Sequence, residues 1–237
     1  MRGALVSLVL VGCASAGVQP DGGVDPDTRD ARDAPDVVPD AAIPDAPSYC
    51  GGLGDRFDIA DTTTLAGWTE RGGDWSVTAM AAHQNELEGV YSHYMTRDTS
   101  MQSDGCASVL ARFNTASTGM TVQSVGVVLR WTPPDTFIVG LVQDNVGAGQ
   151  FDTLYIYQYP NFEYLGMMSG AFGTTPRLRL CAAGATVNLG VDANADATYE
   201  TTLPATTTIL GAGLAGVMTH TFSAQPSVDD FCVGQSL

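Results

Sequence analysis

Apolar and polar residues alternate in short runs through the second part of the chain, and a period of two is typical of half-buried β-strands. Between residues 50 and 237 almost no apolar pattern recurs at the 3.6-residue spacing of a helix. Many short strands with no helices between them predict antiparallel pairing, and therefore an all-β sandwich or barrel. The clearest runs cover residues 107–113, 125–131, 137–142, 153–159, 177–181, 186–191 and 228–233. Turn residues separate them at 133–135, 144–149, 170–176, 183–184 and 192–197.

The start of the chain is typical of a secretory signal peptide. A positive charge at Arg2 precedes an apolar run from Gly3 to Val11, which is too short to span a bilayer. The residues Leu10-Val11-Gly12-Cys13 resemble the bacterial lipobox, whose cysteine is lipid-modified and becomes the mature N-terminus. This resemblance implies a signal peptide of residues 1–12 and lipidation at Cys13. The alternative is an ordinary signal peptide with a chance cysteine, although the usual Ala-x-Ala cleavage pattern is missing.

Composition predicts a linker after the cysteine. Residues 14–48 hold eight aspartates, two arginines and six prolines, with almost no large apolar side chains. Such a segment buries too little apolar area to offset its ordering entropy, so we expect a disordered, extended linker over residues 13–48. The folded domain is then residues 49–237, long enough for one substantial core. A net charge of −16 with no lysine disfavours nucleic-acid binding.

The order of several segments resembles the concanavalin A-like lectin/glucanase superfamily, which includes laminin-G domains and pentraxins. The resemblance covers nearly all of residues 55–234 and implies an antiparallel two-sheet jelly-roll sandwich whose first and last strands are neighbours. Its motifs are patterns of strands and turns, so it predicts the fold better than the function. The segments are FDIADTTTLAGWTERGGDWSV, VVLRW, IVGLV, RLRLCAAGATVNLGVDANADAT and GAGLAGVMTHTFSAQPSVDDFCV.

Four cysteines lie in the predicted domain. In an exported protein their thiols are expected to oxidise, and four cysteines allow three pairings. Under the resemblance, adjacent first and last strands bring Cys50 to Cys232. Cys106 and Cys181 lie at strand ends similar to those that carry the pentraxin disulfide. The resemblance therefore implies the pairs Cys50–Cys232 and Cys106–Cys181.

Catalytic motifs are missing from the sequence. Jelly-roll glucanases resemble one another in a strand carrying Glu-x-Asp-x-x-Glu, because retaining hydrolysis needs two carboxylates about 5 to 5.5 Å apart. The nearest pair here is Glu86 and Glu88, in NELEGVY, and an exposed polar strand edge explains it better. There is no Gly-x-Ser-x-Gly elbow, and His83, His93 and His220 lack zinc-site spacing. The sequence favours a protein that is not an enzyme.

Two acidic groups suggest calcium. The segment Asp192–Asp196 places oxygen ligands at alternate positions, but Ala197 and Leu203 stand where an EF-hand needs glycine and glutamate. A hairpin turn is the preferred interpretation. Asp229 and Asp230 resemble positions near the terminal strands where carbohydrate-binding jelly rolls hold a structural calcium. The preferred interpretation is that they are solvated edge residues that discourage aggregation between sheets. We therefore predict no cofactor, with a structural calcium as the open alternative.

Aromatic residues provide the candidate binding site. Tyr155, Tyr157 and Tyr159 alternate along one predicted strand, so they share one face and leave Leu154 and Ile156 on the other. If the leucine face is the core, the tyrosines line the opposite surface, with Phe162 and Tyr164 just beyond the following turn, and sugar rings stack on such side chains. The alternative is that these tyrosines fill the sandwich core or merely favour β structure. Trp68 and Trp75 are expected to be core residues.

These patterns lead to three hypotheses for function. The first is a non-catalytic lipoprotein of the bacterial cell envelope, anchored to the membrane only by its lipid, whose domain binds a glycan or another cell-surface ligand. Ala14 and Ser15 after the lipid cysteine resemble outer-membrane sorting, which places the domain outside the cytoplasm. The second is a diverged glycoside hydrolase that uses Glu86 and Glu88. The third is a purely structural envelope protein with a convex, tyrosine-poor surface.

Overall fold

A computed structural model of the chain describes residues 52–86, 93–116, 122–221 and 225–235. The predicted signal peptide, Cys13, the linker, Cys50 and Glu88 lie outside these residues, and what the sequence predicts for them stays a prediction. The described residues contain fifteen β-strands and no helix that is long and apolar enough to cross a membrane. The strands are β1 Leu53–Asp55, β2 Trp68–Glu70, β3 Trp75–Thr78, β4 Ala81–Gln84, β5 Tyr94–Arg97, β6 Gly105–Arg112, β7 Gln123–Thr132, β8 Thr136–Gln143, β9 Phe151–Tyr159, β10 Glu163–Gly173, β11 Arg177–Ala183, β12 Thr186–Asp192, β13 Thr201–Thr206, β14 Leu214–Thr221 and β15 Ser227–Gln235.

The strands form two antiparallel sheets, which confirms the predicted all-β sandwich. Sheet A has the order β13-β12-β11-β6-β15-β4-β3, and β1 also pairs with β15. Sheet B has the order β10-β9-β8-β7-β14-β5-β2. Since β1 and β15 are hydrogen-bonded neighbours, the first and last strands are adjacent as the resemblance implied.

All seven predicted strands are present, with boundaries that differ by a few residues. The predicted turn over residues 170–176 is wrong in its first part, because β10 continues to Gly173 before the chain turns. The sequence of β10, EYLGMMSGAFG, is rich in glycine and methionine and has no β-branched residue. Residues of this kind are not typical of strands, so the pairing of β10 with β9 comes from the tertiary structure.

The main core lies between the two sheets, where the inward side chains of both meet. Leu154 and Ile156 of β9 are fully buried there, opposite residues such as Leu180 and Leu189 of sheet A. Trp68 and Trp75 belong to the same core, as the sequence predicted. Alternation along each strand therefore separates an inner apolar face from an outer face.

Strand β15 is central in sheet A, and this corrects the interpretation of Asp229 and Asp230 as edge residues. β6 pairs with one side of β15, and β4 and β1 pair with the other. Arg112 donates to Asp229 at 2.5 Å, and Arg177 donates to Asp230. Burial raises the pKa of Asp229, although its hydrogen bond with Arg112 opposes the shift. These aspartates are ion-pair partners of arginines.

Cys106 and Cys181 form a disulfide, which confirms that predicted pair. The two residues lie directly opposite each other in β6 and β11, with their Cα atoms 4.0 Å apart. Cys232 is also disulfide-bonded. It lies opposite Gly54 of β1, so the chain just before β1 approaches it. Its pairing with Cys50 stays a prediction because Cys50 is outside the described residues.

Candidate functional site

The three tyrosines of β9 lie on the outer face of sheet B. Leu154 and Ile156 fill the core between the sheets, so alternation turns Tyr155, Tyr157 and Tyr159 to the opposite face, where they are partly exposed. The alternative in which these tyrosines fill the sandwich core is therefore wrong. A tyrosine-rich surface also differs from the tyrosine-poor one expected of a purely structural protein.

A second apolar cluster lies beside these tyrosines on the same face of sheet B. It consists of fully or almost fully buried side chains from neighbouring strands of sheet B, and the tyrosines pack against it. Because the cluster sits on hydrogen-bonded strands rather than on loops, the rings have a rigid base. The buried members are Tyr94, Val128, Trp131, Phe137, Val139, Leu141 and Met218. We call the rings of this outer surface the aromatic face: Tyr94, Trp131, Phe137, Tyr155, Tyr157, Tyr159, Phe162 and Tyr164.

The rings of the aromatic face contact one another continuously. Phe137 stacks on Tyr159 with ring centroids 4.2 Å apart, and Tyr157 stacks on Phe162 at 4.4 Å. Tyr155 and Tyr157 are nearly parallel at 5.5 Å, and Tyr164 meets Tyr157 edge-on at 5.8 Å. Mutual packing of this kind fixes ring orientation before any ligand arrives.

The most exposed rings belong to the hairpin between β9 and β10. Phe162 is 37% exposed and Tyr164 is 53% exposed. Phe162 has a φ of 51°, in the left-handed region, a conformation that is uncommon for a bulky side chain. Uncommon backbone conformations of this kind persist where the surrounding structure maintains them, and they cluster at functional sites.

Polar groups order the β5 side of the aromatic face. Trp131 donates its Nε1–H to the hydroxyl of Tyr94 at 3.1 Å, and that hydroxyl donates to Asp135. Burial and this hydrogen bond to Asp135 raise the pKa of Tyr94, which keeps its hydroxyl protonated. The guanidinium of Arg71 lies 3.9 Å over the ring of Trp131 and donates to Thr96.

A recess of about 230 Å³ adjoins Tyr159 at the β9–β10 hairpin. It is also lined by Thr136, Asn161, Glu163 and Thr208, so hydroxyl, amide and carboxylate groups are present. Glu163 pairs with Gln158, and both face the inner side of sheet B, opposite the tyrosines.

Gln158 fixes the geometry of this recess. Its side chain is buried, and its amide nitrogen donates to Glu163 and to Thr208. Its amide oxygen accepts a hydrogen bond from Thr207 at 2.7 Å. The amide therefore joins the hairpin to the segment after β13 and holds the carboxylate of Glu163 in place.

The structure does not support the strand geometry assumed for Glu86 and Glu88. β4 ends at Gln84, so Glu86 is beyond the strand, and Glu88 is outside the described residues. The carboxylate of Glu86 lies 3.2 Å from Nε2 of the buried His93. Glu86 is therefore not on a strand, and the role of the two glutamates as a pair stays a prediction because Glu88 is outside the described residues.

One acidic group has the geometry to hold a cation. Carboxylate oxygens of Asp192, Asp196 and Glu200 lie within 4.8 Å of one another, and in the described residues no other such group of acidic, histidine or cysteine ligands is found. Both oxygens of Asp192 already accept backbone N–H groups, from Asp196 at 3.1 Å and Ala197 at 2.7 Å. Calcium takes six to eight oxygen ligands, so three carboxylates would supply only part of a site. These hydrogen bonds also hold the loop between β12 and β13.

Comparison with known proteins identifies the fold. No family model and no curated protein matches the chain. A carbohydrate-binding module of Bacillus subtilis, CBM66, matches with a TM-score of 0.56 and 12% identity, covering 72% of this chain and 97% of that one. The beta-glucanase of Bacillus licheniformis matches at 0.50 and 10% identity, covering 76% and 95%. The Ca²⁺-bound exoplasmic/lumenal domain of VIP36 matches at 0.50 and 10%, covering 77% and 89%.

These likenesses show a concanavalin A-like jelly roll, as the sequence predicted, and at such identities they show the fold alone. The function has to be inferred from the residues of the site. The sequence located the tyrosines and the two hairpin rings, but it missed Tyr94, Trp131 and Phe137. Only the register of β5, β7 and β8 places those three rings beside the tyrosines.

Proposed function

We propose that the domain binds carbohydrate on its aromatic face. The observation that carries this proposal is a set of adjoining rings on the outer side of sheet B, five of which are partly or largely exposed: Tyr155, Tyr157, Tyr159, Phe162 and Tyr164. Sugar rings present flat C–H faces that pack against aromatic side chains, and tyrosine hydroxyls add hydrogen bonds. The span from Tyr155 to Tyr159 covers about 13 Å of strand, which is long enough for more than one sugar unit.

Pre-ordering of the rings supports the same function. Stacking between Tyr157 and Phe162, and between Phe137 and Tyr159, limits their motion in the free protein. A ligand then loses less side-chain entropy on binding than it would on a set of independent rings. The carbohydrate-binding module and the β-glucanase with the same fold make a glycan ligand plausible for this domain.

We propose binding without hydrolysis. Glycoside hydrolysis needs two carboxylates that flank the scissile bond. Asp135 accepts from Tyr94 beside the rings, whereas Glu163 pairs with Gln158 and faces the other side of sheet B, so these two carboxylates do not flank a ligand on the aromatic face. Release of reducing sugar by the wild-type protein that disappears in a Glu86→Gln/Glu88→Gln variant would instead establish the hydrolase hypothesis.

We expect Tyr157→Ala to weaken glycan binding by about tenfold or more, because it removes the ring that contacts Tyr155, Phe162 and Tyr164. A glycan array identifies a ligand, and titration calorimetry with that ligand measures the change. Tyr199→Ala is the matched control, since Tyr199 packs under Arg179 on sheet A. Wild-type protein that binds no glycan, or equal losses in both variants, would contradict the proposed site.

We also propose that lipid on Cys13 attaches the protein to the bacterial envelope, in keeping with the lipobox-like residues Leu10–Cys13. We expect Cys13→Ala protein to leave the membrane fraction or to stay unprocessed, because dual lipidation is what makes such anchoring stable. Membrane fractionation and mass spectrometry of the N-terminal peptide measure this. The melting temperature of the Cys13→Ala domain should not change. A Cys13→Ala protein that is still acylated would refute the proposal that Cys13 carries the lipid.

A further inference from the structure

We infer that Arg71 is a ligand-binding residue beside the tyrosines and that it binds the carboxylate of an acidic sugar unit. The ligand is then a largely neutral glycan that carries isolated carboxylates. This inference rests on the proposed function, and it adds the class of ligand and a specificity residue to it.

Arg71 lies on the same side of sheet B as the tyrosines. Met95 of β5 is in the core between the sheets, so alternation turns its neighbour Thr96 to the outer face. Nε of Arg71 donates to the hydroxyl of Thr96 at 3.1 Å, and its guanidinium carbon lies 3.9 Å from the centre of the Trp131 ring. Trp131 belongs to the outer cluster of sheet B. Since both contacts are on the outer face, the guanidinium is there too.

The guanidinium is close to the rings that are proposed to bind the glycan. Trp131 belongs to β7, and only β8 separates β7 from β9, which carries the tyrosines. Adjacent strands are about 4.8 Å apart, so about 10 Å separates β7 from β9. Phe137 of β8 lies in this interval, because it packs in the same cluster as Trp131 and stacks on Tyr159. A chain of a few sugar units can therefore contact both Arg71 and the tyrosines.

The terminal nitrogens of Arg71 are available to a ligand. The residue is exposed, and in the part of the chain that the structure describes its side chain donates only to Thr96. No carboxylate of the described residues lies within 4.0 Å of its nitrogens, whereas most other described arginines have such a partner. The paired arginines are Arg56, Arg97, Arg112, Arg130 and Arg177.

Two contacts order the guanidinium of Arg71 before a ligand binds. The stack on Trp131 and the hydrogen bond from Nε to Thr96 both limit rotation of the side chain. These contacts leave the edge formed by the two terminal nitrogens unused. Parallel N–H groups on one edge of a guanidinium match the two oxygens of a carboxylate, and this bidentate pairing is selective for planar anions.

Asp135 is a nearby carboxylate that has another partner. It accepts from the hydroxyl of Tyr94, and Trp131, whose ring lies under Arg71, donates to the same hydroxyl at 3.1 Å. A ligand carboxylate on Arg71 would therefore be repelled by Asp135. Removal of this negative charge should have the opposite effect on acidic ligands from removal of Arg71.

The net charge of the chain limits how acidic the ligand is. At −16, the chain repels a polysaccharide that has a charge on every unit. One carboxylate in contact with Arg71 gains a charge-assisted pair, and neutral units on either side of it avoid the general repulsion. A glycan with isolated carboxylates therefore fits better than a polyanion.

The test uses the whole protein and glycans that differ in their carboxylates. Glucuronoxylan and gellan, in which uronic acids are separated by neutral units, are the main probes. Their carboxyl-reduced forms are matched neutral ligands with the same backbone. Alginate, which has a carboxylate on every unit, is the polyanion. Affinity electrophoresis and calorimetry at one fixed NaCl concentration measure the dissociation constants.

We expect the wild-type protein to bind at least one main probe, and carboxyl reduction of that probe to weaken binding by about tenfold. Alginate should bind more weakly than the main probe. Arg71→Met should remove the difference between the acidic and reduced forms, because methionine keeps an apolar stem over Trp131 but has no donor. Asp135→Asn keeps an acceptor for Tyr94 and should increase that difference. Unchanged melting temperatures check that both variants fold.

Arg179→Met is the matched control, because it removes the same charge and a similar stack, on Tyr199 in sheet A. If it weakens binding of the acidic form as much as Arg71→Met does, overall charge is responsible and the role of Arg71 is refuted. If the wild-type protein binds the reduced forms as tightly as the acidic ones, or only neutral glycans on the array, the inference fails and carbohydrate binding stands. If it binds no probe and no glycan on the array, both the inference and the proposed function fail.

Discussion

Replacing Arg130 with methionine should lower the free energy of unfolding by about 3–5 kcal/mol, because several hydrogen bonds to a charged donor are lost and each such bond contributes about 1.5–3 kcal/mol. Arg130 lies in β7 of sheet B with its side chain only 1% exposed. Its guanidinium donates to the backbone carbonyl oxygens of Ser103 at 2.6 Å, of Gly184 at 2.9 Å and of Ile209. It also donates to the carboxylate of Asp104 at 3.0 Å.

The loss should be large because methionine matches the length of the stem but cannot donate. Three carbonyl oxygens, from the segment before β6, the β11–β12 turn and the segment after β13, would then lose their donor. Water replaces only part of these hydrogen bonds, although Ser103 and Gly184 are exposed and Ile209 is half-buried. One side chain of sheet B therefore holds the β11–β12 turn of sheet A and two segments that connect the two sheets.

Urea denaturation followed by tryptophan fluorescence measures this change. Arg179→Met is the control, since Arg179 is partly exposed and its guanidinium lies 3.9 Å over the ring of Tyr199. Such a cation–π contact is worth about 0.5–1 kcal/mol at an exposed site. Equal losses in the two variants would show that the hydrogen bonds of Arg130 contribute little to stability.

The double variant Cys106→Ala/Cys181→Ala should lose about 2–5 kcal/mol of stability, the range for a native disulfide. The bond closes a loop with a sequence separation of 75 residues. Its main effect is to restrict the unfolded chain, because the backbone ladder of β6 and β11 continues on both sides of the cysteine pair. We expect the variant to keep its native circular dichroism spectrum at 25 °C.

Reducing agent supplies the control for this prediction. In dithiothreitol the wild-type protein and the double variant both lack the bond, and Cys232 is reduced equally in both. Their difference in unfolding free energy should therefore shrink to the small effect of the side-chain change. A difference that is as large under reducing conditions would mean that packing of the buried cysteines, rather than the covalent link, is responsible.

The sequence predicted those parts of the fold whose signal is local. β9 alternates apolar residues with polar or aromatic ones, and β7 is rich in valine, so both signals are visible without knowledge of their neighbours. β10 was missed because its glycines and methionines have no strand signal. β13 was missed as well, and it is a short edge strand that contains Pro204.

The candidate site was predictable only where it lies on one strand. Tyr155, Tyr157 and Tyr159 share a face by alternation alone, but the sequence cannot say which rings of other strands adjoin them. Trp131 lies beyond an irregularity in the β7–β8 pairing, so simple counting along β7 does not place it. Glu200 was missed for a similar reason, because its distance from Asp192 depends on the loop between β12 and β13.

The pairing of Leu53 with Val233 brings the entry and the exit of the described domain to the same place in sheet A. A module with adjoining ends can be inserted into a loop of a host protein as a side branch, since the host chain enters and leaves at one point. A pulling force along the host chain would then pass through the paired terminal strands and not through the rest of the sandwich. The rings of sheet B point away from sheet A, so an insertion at these ends leaves their surface accessible.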